Sequence, residues 1–471
     1  MRSVPSGALV VALVLTWAFG IGRYGGPDEP AHVLRAAAVA GGELIGQTSA
    51  DLTSGYRVVS VPAALASGDP GCYRHDPRAT SACAEPTQTS GAIRAATSAG
   101  INPPMYYALV GVPVRLVGDP AEVYWYRLVA AALNALVVVL AAWRLRPFGR
   151  TGVVGLAAFA PATWFLIGVV NPNGFELVLV LLAWVGVVRW VSRADRSLAA
   201  AWWISAPLAV AVACRPVALM ATVAVLAVLE LRGHPSWRRR VVLWGPVGAA
   251  SASVLAWNRI VHLHVDDPRT AGSGSTARAA LEAVRSMPGT AHEMVASLGW
   301  LEFSAPTVAV AMWALGGFFA AWRWRPGRAG ASAVLTWLVL LVAVPVVFEV
   351  IVHRSLGPIW QGRYSLPTFV GVVALVLCEP LSVSRRAARA TILAAALAEV
   401  WSYWWVVRRY AVGVDGSWWL DDAYLSSSVL GPRTWILINI AIVCLLAGST
   451  MLTLAPGAAR SRVTGCSRTR R

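Results

Sequence analysis

Ser6-Gly7-Ala8-Leu9-Val10-Val11-Ala12-Leu13-Val14-Leu15-Thr16-Trp17-Ala18-Phe19-Gly20-Ile21 is an uncharged run, and Gly25-Gly26-Pro27-Asp28-Glu29-Pro30-Ala31-His32 follows closely behind it. A run of this length is about what a helix needs to cross a bilayer. Asp28, Glu29, His32 and then Arg35 therefore sit where the chain leaves the far side of a membrane. Asp28 and His32 are four residues apart, so a helix starting near Glu29 turns both the same way. Two readings fit this stretch. Asp28 ahead of Pro30 is a helix-start signal, with a capping carboxylate and a first-turn proline. Alternatively, the carboxylates and the histidine form a reaction centre, where Asp28 and Glu29 could also hold a divalent metal such as Mg or Mn.

Composition decides the class outside this stretch. Of 471 residues, 57% are hydrophobic and 13% charged, with a mean hydropathy of +0.60, far more apolar than a soluble globule. The formal charge of +17 does not point to nucleic acid, because all of the basic side chains other than histidine are arginines, clustered between apolar runs. That is the pattern of membrane topology.

Apolar runs of roughly 15–22 residues recur along the chain. Their pattern predicts an all-α bundle of about twelve spans near 6–23, 122–143, 152–170, 174–190, 199–213, 217–231, 241–257, 306–322, 333–352, 365–382, 390–410 and 433–455. The first is read as an uncleaved span, since no small-residue cleavage site adjoins it. In 199–231, parity requires two short helices, with Arg215-Pro216 at the tip of a broken hairpin. Arg144/Arg146/Arg150, Arg193/Arg196, Arg238/Arg239/Arg240, Arg323/Arg325/Arg328, Arg385/Arg386/Arg389 and the tail from Arg460 to Arg471 then share one face, the cytoplasm by the positive-inside rule, together with both termini. The organisation is a first helix at 1–23, an extracytoplasmic loop with short interfacial helices at 24–121, a transmembrane bundle at 122–257, a second extracytoplasmic loop at 258–305, a second transmembrane bundle at 306–455 and a cytoplasmic tail at 456–471 that contacts membrane lipids.

The loop at 24–121 is polar and carries Cys72 and Cys83. In an oxidising exterior, two cysteines in one polar loop pair as a local disulfide. Three further outward pieces carry polar chemistry. Asn102-Pro103-Pro104-Met105-Tyr106-Tyr107 leads an aromatic helix into the interface, where an anchoring role would also explain it. Asn171-Pro172-Asn173-Gly174 has the composition of a tight turn, with Glu176 just inside the next span. In Trp360-Gln361-Gly362-Arg363-Tyr364, Arg363 is an outward arginine whose planar fork suits a phosphate, with Gln361 and Tyr364 adding neutral hydrogen bonds. His353, Arg354 and Arg215 extend the same basic patch. Asp266-Asp267 reads as a solvated turn.

Taken in order, Pro27-Asp28-Glu29-Pro30-Ala31-His32, Asn102-Pro103-Pro104-x-Tyr106-Tyr107, Asn171-Pro172-Asn173-Gly174 and Gln361-Gly362-Arg363-Tyr364 resemble an actinobacterial member of a bacterial family of membrane proteins catalogued as a domain of unknown function. That family is in turn similar to the C-superfamily glycosyltransferases, polytopic enzymes that use polyprenyl-phosphate sugars outside the membrane. The resemblance implies an acidic base or metal ligand in the first outward loop, at Asp28 or Glu29. The implied partners are a polyprenyl-phosphate-linked sugar donor and a cell-envelope glycan or glycolipid acceptor. On this reading Asp28 is the base, and Glu29 or His32 orients it. Arg363, with Arg215, neutralises the leaving phosphate, while Arg35, Asn102, Tyr106, Gln361 and Tyr364 line the substrate site.

A transporter or lipid flippase has a similar span count, but it would show two related halves with interrupted helices in matching places. The loops here are uneven and no duplication is visible. A non-catalytic envelope-assembly protein would require Asp28 and Glu29 to be structural.

Overall fold

The computed structural model describes residues 4–49, 55–192, 195–261, 275–324, 327–371, 382–421, 423 and 430–454. The Asp266/Asp267 turn, Arg193, Arg325, most of the run at 365–382, the side chain of Arg354 and the arginine-rich tail lie outside the described residues.

The chain is mostly helical. Helices α1 (Val4–Gly20) and α2 (Glu29–Ala40) precede strands β1 (Arg57–Pro62) and β2 (Ala92–Thr97). Then come α3 (Met105–Val117), α4 (Val123–Leu145), α5 (Pro161–Ile167), α6 (Pro172–Val191), α7 (Leu198–Cys214), α8 (Ala218–Gly233) and α9 (Trp237–Ile260). The remainder comprises α10 (Thr276–Arg285), α11 (Met287–Ala296), α12 (Thr307–Ala321), α13 (Arg328–Leu356), α14 (Gly362–Phe369), α15 (Arg385–Val412) and α16 (Pro432–Thr453).

Helix α6 is the axis of the bundle. Asn171 caps it by accepting from the Asn173 amide at 2.9 Å, and Pro172 occupies the first turn, where a missing N–H costs nothing. It is apolar on every side and almost entirely buried, as expected for a helix surrounded by others. By contrast α16 is mostly uncovered, and Leu437, Leu445 and Leu452 stand exposed on it. Exposed apolar faces of this extent are stable against hydrocarbon rather than water. Among the described residues, six segments, Val123–Ala158, Pro172–Val191, Trp237–Ile260, Val334–His353, Arg385–Val412 and Pro432–Thr453, are long and apolar enough to cross a membrane. The protein is a multi-pass membrane protein.

Two expectations change. The run at 152–170 is not one span: 3₁₀ turns over Arg146–Ala158 give way to the seven-residue α5. Gly152 and Gly155 weaken the first half, and Pro161 restarts the helix. The all-α expectation also omits the antiparallel β1–β2 hairpin, registered from Arg57 opposite Thr97 to Pro62 opposite Ala92. Thr97 Oγ1 donates to the Ala31 carbonyl at 2.8 Å, tying this hairpin to α2.

The break in 199–231 falls where expected. Arg215 precedes proline and is extended (φ −150°, ψ 110°), because the proline ring disfavours a helical residue before it. Cys72 and Cys83 form a disulfide with Cα atoms 6.2 Å apart. The loop it closes is pinned by Arg409, whose buried guanidinium donates to the carbonyls of Tyr73 (3.0 Å), Asp76 (3.0 Å) and Ala79 (2.6 Å). Peptide mapping without reductant is expected to recover the Cys72–Cys83 cross-link. The paired Cys72→Ser, Cys83→Ser variant should lose about 2 kcal/mol of stability, measured by thermal unfolding in detergent.

Candidate functional site

Glu29 and Asp28 are adjacent in the chain but face different surroundings. Glu29 is fully buried, and Arg127 of α4 grips it twice, Nε to Oε1 at 2.8 Å and Nη2 to Oε2 at 2.6 Å. The amides of Val170 (3.0 Å) and Gly26 (3.1 Å) donate to the same two oxygens. Arg127 also donates to the carbonyls of Ala18 at 3.2 Å and Gly22 at 2.8 Å, at the end of α1. A buried charge is tolerable only when paired and hydrogen-bonded, and this pair is both. The turn is packed tightly around it: a Cβ on Gly26 would stand 2.7 Å from Val169.

Asp28 is held on the other side of that turn. Asn171 Nδ2 donates to the Pro27 carbonyl at 2.8 Å, so the Asn-Pro-Asn-Gly turn is a strut for the Asp28 turn as well as a cap for α6. Asp28 lies in the left-handed region (φ 59°) and makes no capping bond. The capping reading of this residue therefore does not hold, because its carboxylate is committed elsewhere. Oδ2 accepts from Arg363 Nη2 at 2.6 Å across 335 residues of sequence.

That ion pair forms one wall of a cavity of about 500 Å³. Asp28, His32, Asn102, Arg215, Arg363 and Tyr364 line it, together with Ser98, Pro103, Asn171 and Asn258. Arg215, extended before its proline, reaches Glu176 Oε2 at 2.5 Å and lies over the Tyr364 ring at 4.6 Å. Arg363 lies over the same ring at 5.3 Å. Tyr364 thus touches both guanidiniums, a contact its ring quadrupole favours.

His32 is buried, and its Nδ1 is 3.0 Å from the Tyr107 hydroxyl. Asn102 Nδ2 donates to that hydroxyl at 2.8 Å; the arrangement that also uses the tyrosine proton sends it to His32 Nδ1 and puts the histidine proton on Nε2. Burial pushes the His32 pKa down to about 4, against the opposing pull of Asp28, so the ring is neutral. For Asp28, burial raises the pKa, but the Arg363 guanidinium, with Arg215 beyond it, outweighs this and the net shift is downward, so the carboxylate is ionised.

Four expected site residues stand off the cavity. Glu29 is enclosed by Arg127, and Tyr106 packs against Phe175 with ring centroids 6.1 Å apart. Arg35 is buried between Tyr107 (5.8 Å) and Trp257 (5.9 Å) and steadies the Asn102 carbonyl at 3.1 Å. Gln361 flanks the start of α14. His353 is also buried, with Nδ1 2.8 Å from the Val350 carbonyl. The Asp28 and Glu29 carboxylates do not converge, each being held by its own arginine. Among the described residues no three His, Cys, Asp or Glu side chains gather as a metal site. One carboxylate facing two guanidiniums does not suit Mg or Mn, which want several oxygen ligands.

The structure adds Arg127, Glu176 and Asn171 to the site's framework. Arg127 has a sequence signal: it is an arginine four residues into a long apolar helix, where an ionisable group usually has a buried partner.

The fold and cavity define a helical, multi-pass membrane protein with a charged cavity bordered by the breaks between its helices. Residues 11–372 match the family described as "Predicted membrane protein (DUF2142)", and the chain belongs to that family. Two crystal structures of ArnT from Cupriavidus metallidurans are similar to it. The apo form is 14% identical and the form bound to undecaprenyl phosphate 15%, each with a TM-score of 0.45. Both alignments cover 95% of this chain, with 74% and 75% of the ArnT chains respectively. No curated protein matches.

Two outcomes follow from this geometry. Removing one partner of a buried pair leaves an uncompensated charge, so Arg127→Ala should cost about 3–5 kcal/mol, seen as lost folded protein or a collapsed melting temperature. His32 binds its proton less readily folded, at about 4, than at its ordinary 6.5, so stability drops as pH falls from 6.5 through 4 and is unaffected above that window. His32→Gln should remove part of this acid loss in melting curves recorded from pH 7 to 4.

Proposed function

We propose that this protein is an integral membrane glycosyltransferase that moves a sugar from a polyprenyl-phosphate donor to a cell-envelope acceptor on the extracytoplasmic side. The arginine clusters and both termini face the cytoplasm, about twelve spans cross the membrane, and the cavity opens outward. The observation that carries this reading is the meeting of Asp28, Arg363, Arg215 and Tyr364 around one cavity. An ionised carboxylate beside two guanidiniums supplies the two things that transfer from a lipid phosphate needs, a base and a cationic seat for the leaving group.

In the proposed reaction, Asp28 takes the proton of the acceptor hydroxyl as that oxygen attacks the anomeric carbon. The bond between that carbon and the phosphate oxygen breaks on the opposite face, and its electron pair leaves on the phosphate. Arg363, backed by Arg215, stabilises the charge that develops there. The configuration at the sugar inverts. Glu29 has no chemical part; its role is to hold the turn that presents Asp28. The prenyl chain lies between spans, where apolar faces already meet lipid.

Asp28→Asn is expected to lower transfer by about 10²–10⁴-fold and Arg363→Ala by about 10²–10³-fold, measured as sugar incorporation from a polyprenyl-phosphate donor in proteoliposomes. Undiminished transfer in both variants would overturn the assignment.

A further inference from the structure

Building on the reading of the cavity as a phosphate site, we infer that Arg363 restrains Asp28 until a phosphate arrives, and that His32 receives the displaced carboxylate. The phosphate-bearing donor then binds before the acceptor hydroxyl can be deprotonated.

The first support is a balance of charge. Arg363 is matched by Asp28 at 2.6 Å and Arg215 by Glu176 at 2.5 Å, while His32 is neutral. A phosphate entering this cavity finds each guanidinium already paired and must compete with a carboxylate for it. It is nevertheless drawn to Arg363, whose Nε and Nη1 are buried without a partner, a condition that costs free energy until an acceptor arrives.

The second support is which carboxylate can yield. The Glu176 side chain is 1% exposed, whereas that of Asp28 is 45% exposed. Asp28 makes no capping bond and sits in a left-handed conformation, a backbone state that stores strain. Arg363 is the fixed partner. The segment before it is clamped by Glu349, whose Oε1 accepts from the amides of Ile359 and Trp360, and by Glu293, whose Oε2 accepts from Gly362 N at 2.9 Å. The backbone at Gly362 approaches α11 so closely that a Cβ there would collide with the Met294 amide. When phosphate competes for the guanidinium, Asp28 is therefore the group that moves.

The third support is where it goes. His32 lies one helical turn along from Asp28 and lines the same cavity. The chain Asn102 to Tyr107 to His32 leaves the Nε2 proton free to donate. A carboxylate turned onto that proton keeps one hydrogen bond and loses the neighbouring guanidinium that suppressed its basicity. It becomes a stronger base when the leaving group is already seated. His32 is thus a positioning residue, and its proton stays on Nε2 throughout.

The test is equilibrium binding of undecaprenyl phosphate to the full-length protein in nanodiscs. Asp28→Asn, which removes the competitor, is expected to bind the lipid roughly tenfold more tightly than wild type, although its sugar transfer falls by about 10²–10⁴-fold. His32→Ala should bind the lipid as wild type does and lose kcat rather than KM. Equal or weaker lipid binding by Asp28→Asn would overturn the restraint. No lipid binding by wild type would instead overturn the polyprenyl-phosphate reading, and the inference with it. Inorganic phosphate is expected to bind far more weakly; equal affinity for it would also overturn the lipid reading. A measurement on wild type needs no variant to fold: carbodiimide modification of Asp28 should rise when the lipid is added, and an unchanged rate would overturn the displacement.

Discussion

The Glu29–Arg127 pair is the constraint from which the site is built. It is buried without exposure on either side chain, and its hydrogen bonds join the end of α1, the start of α2, the body of α4 and the turn before α6. Two charges removed from water at this depth are stable only because each finds several partners. Four segments are held in one arrangement, and the turn between α1 and α2 has only one way to lie. Asp28 emerges from that turn on the side opposite Glu29, which is why one acid is sealed in and its neighbour opens to the cavity.

Helix breaks do the remaining positioning. Arg215 reaches the cavity because it precedes a proline and is extended; in a continuous helix its side chain would run along the helix surface. Arg363 follows an extended Gln361 at the start of α14, on a segment clamped by two glutamates. Both cations therefore stand at chain breaks beside a central apolar helix. Their charge costs least there, where backbone groups freed from helical bonding are available.

Much of this was legible. The Asp28 turn, Asn102, the Arg215-Pro216 break and the Arg363-Tyr364 pair do share one cavity, as their polar composition at the ends of apolar runs suggested. The disulfide followed from two cysteines in one polar loop. Less legible was the division of labour within each motif. Spacing places Asp28 and Glu29 side by side, and only a distant arginine decides which is buried. Arg35, Tyr106 and Gln361 carry the right chemistry but do not line the cavity; Arg35 braces it through the Asn102 carbonyl, and Tyr106 packs on Phe175. Asn171 reads as a turn and serves also as a strut, because its amide meets Pro27 only in the folded chain.

By itself the sequence determined the membrane class, the positions of most helices and the polar stretches between them. These follow from local quantities: run length, hydropathy, and the backbone demands of proline and glycine. Tertiary structure alone decided which charges pair. The partners of Glu29, Asp28 and Glu176 lie 98, 335 and 39 residues away, and no local pattern records such separations. It also decided that 152–170 is broken rather than a single span, because packing against α12 and α15 outweighs a weak, glycine-rich helical preference.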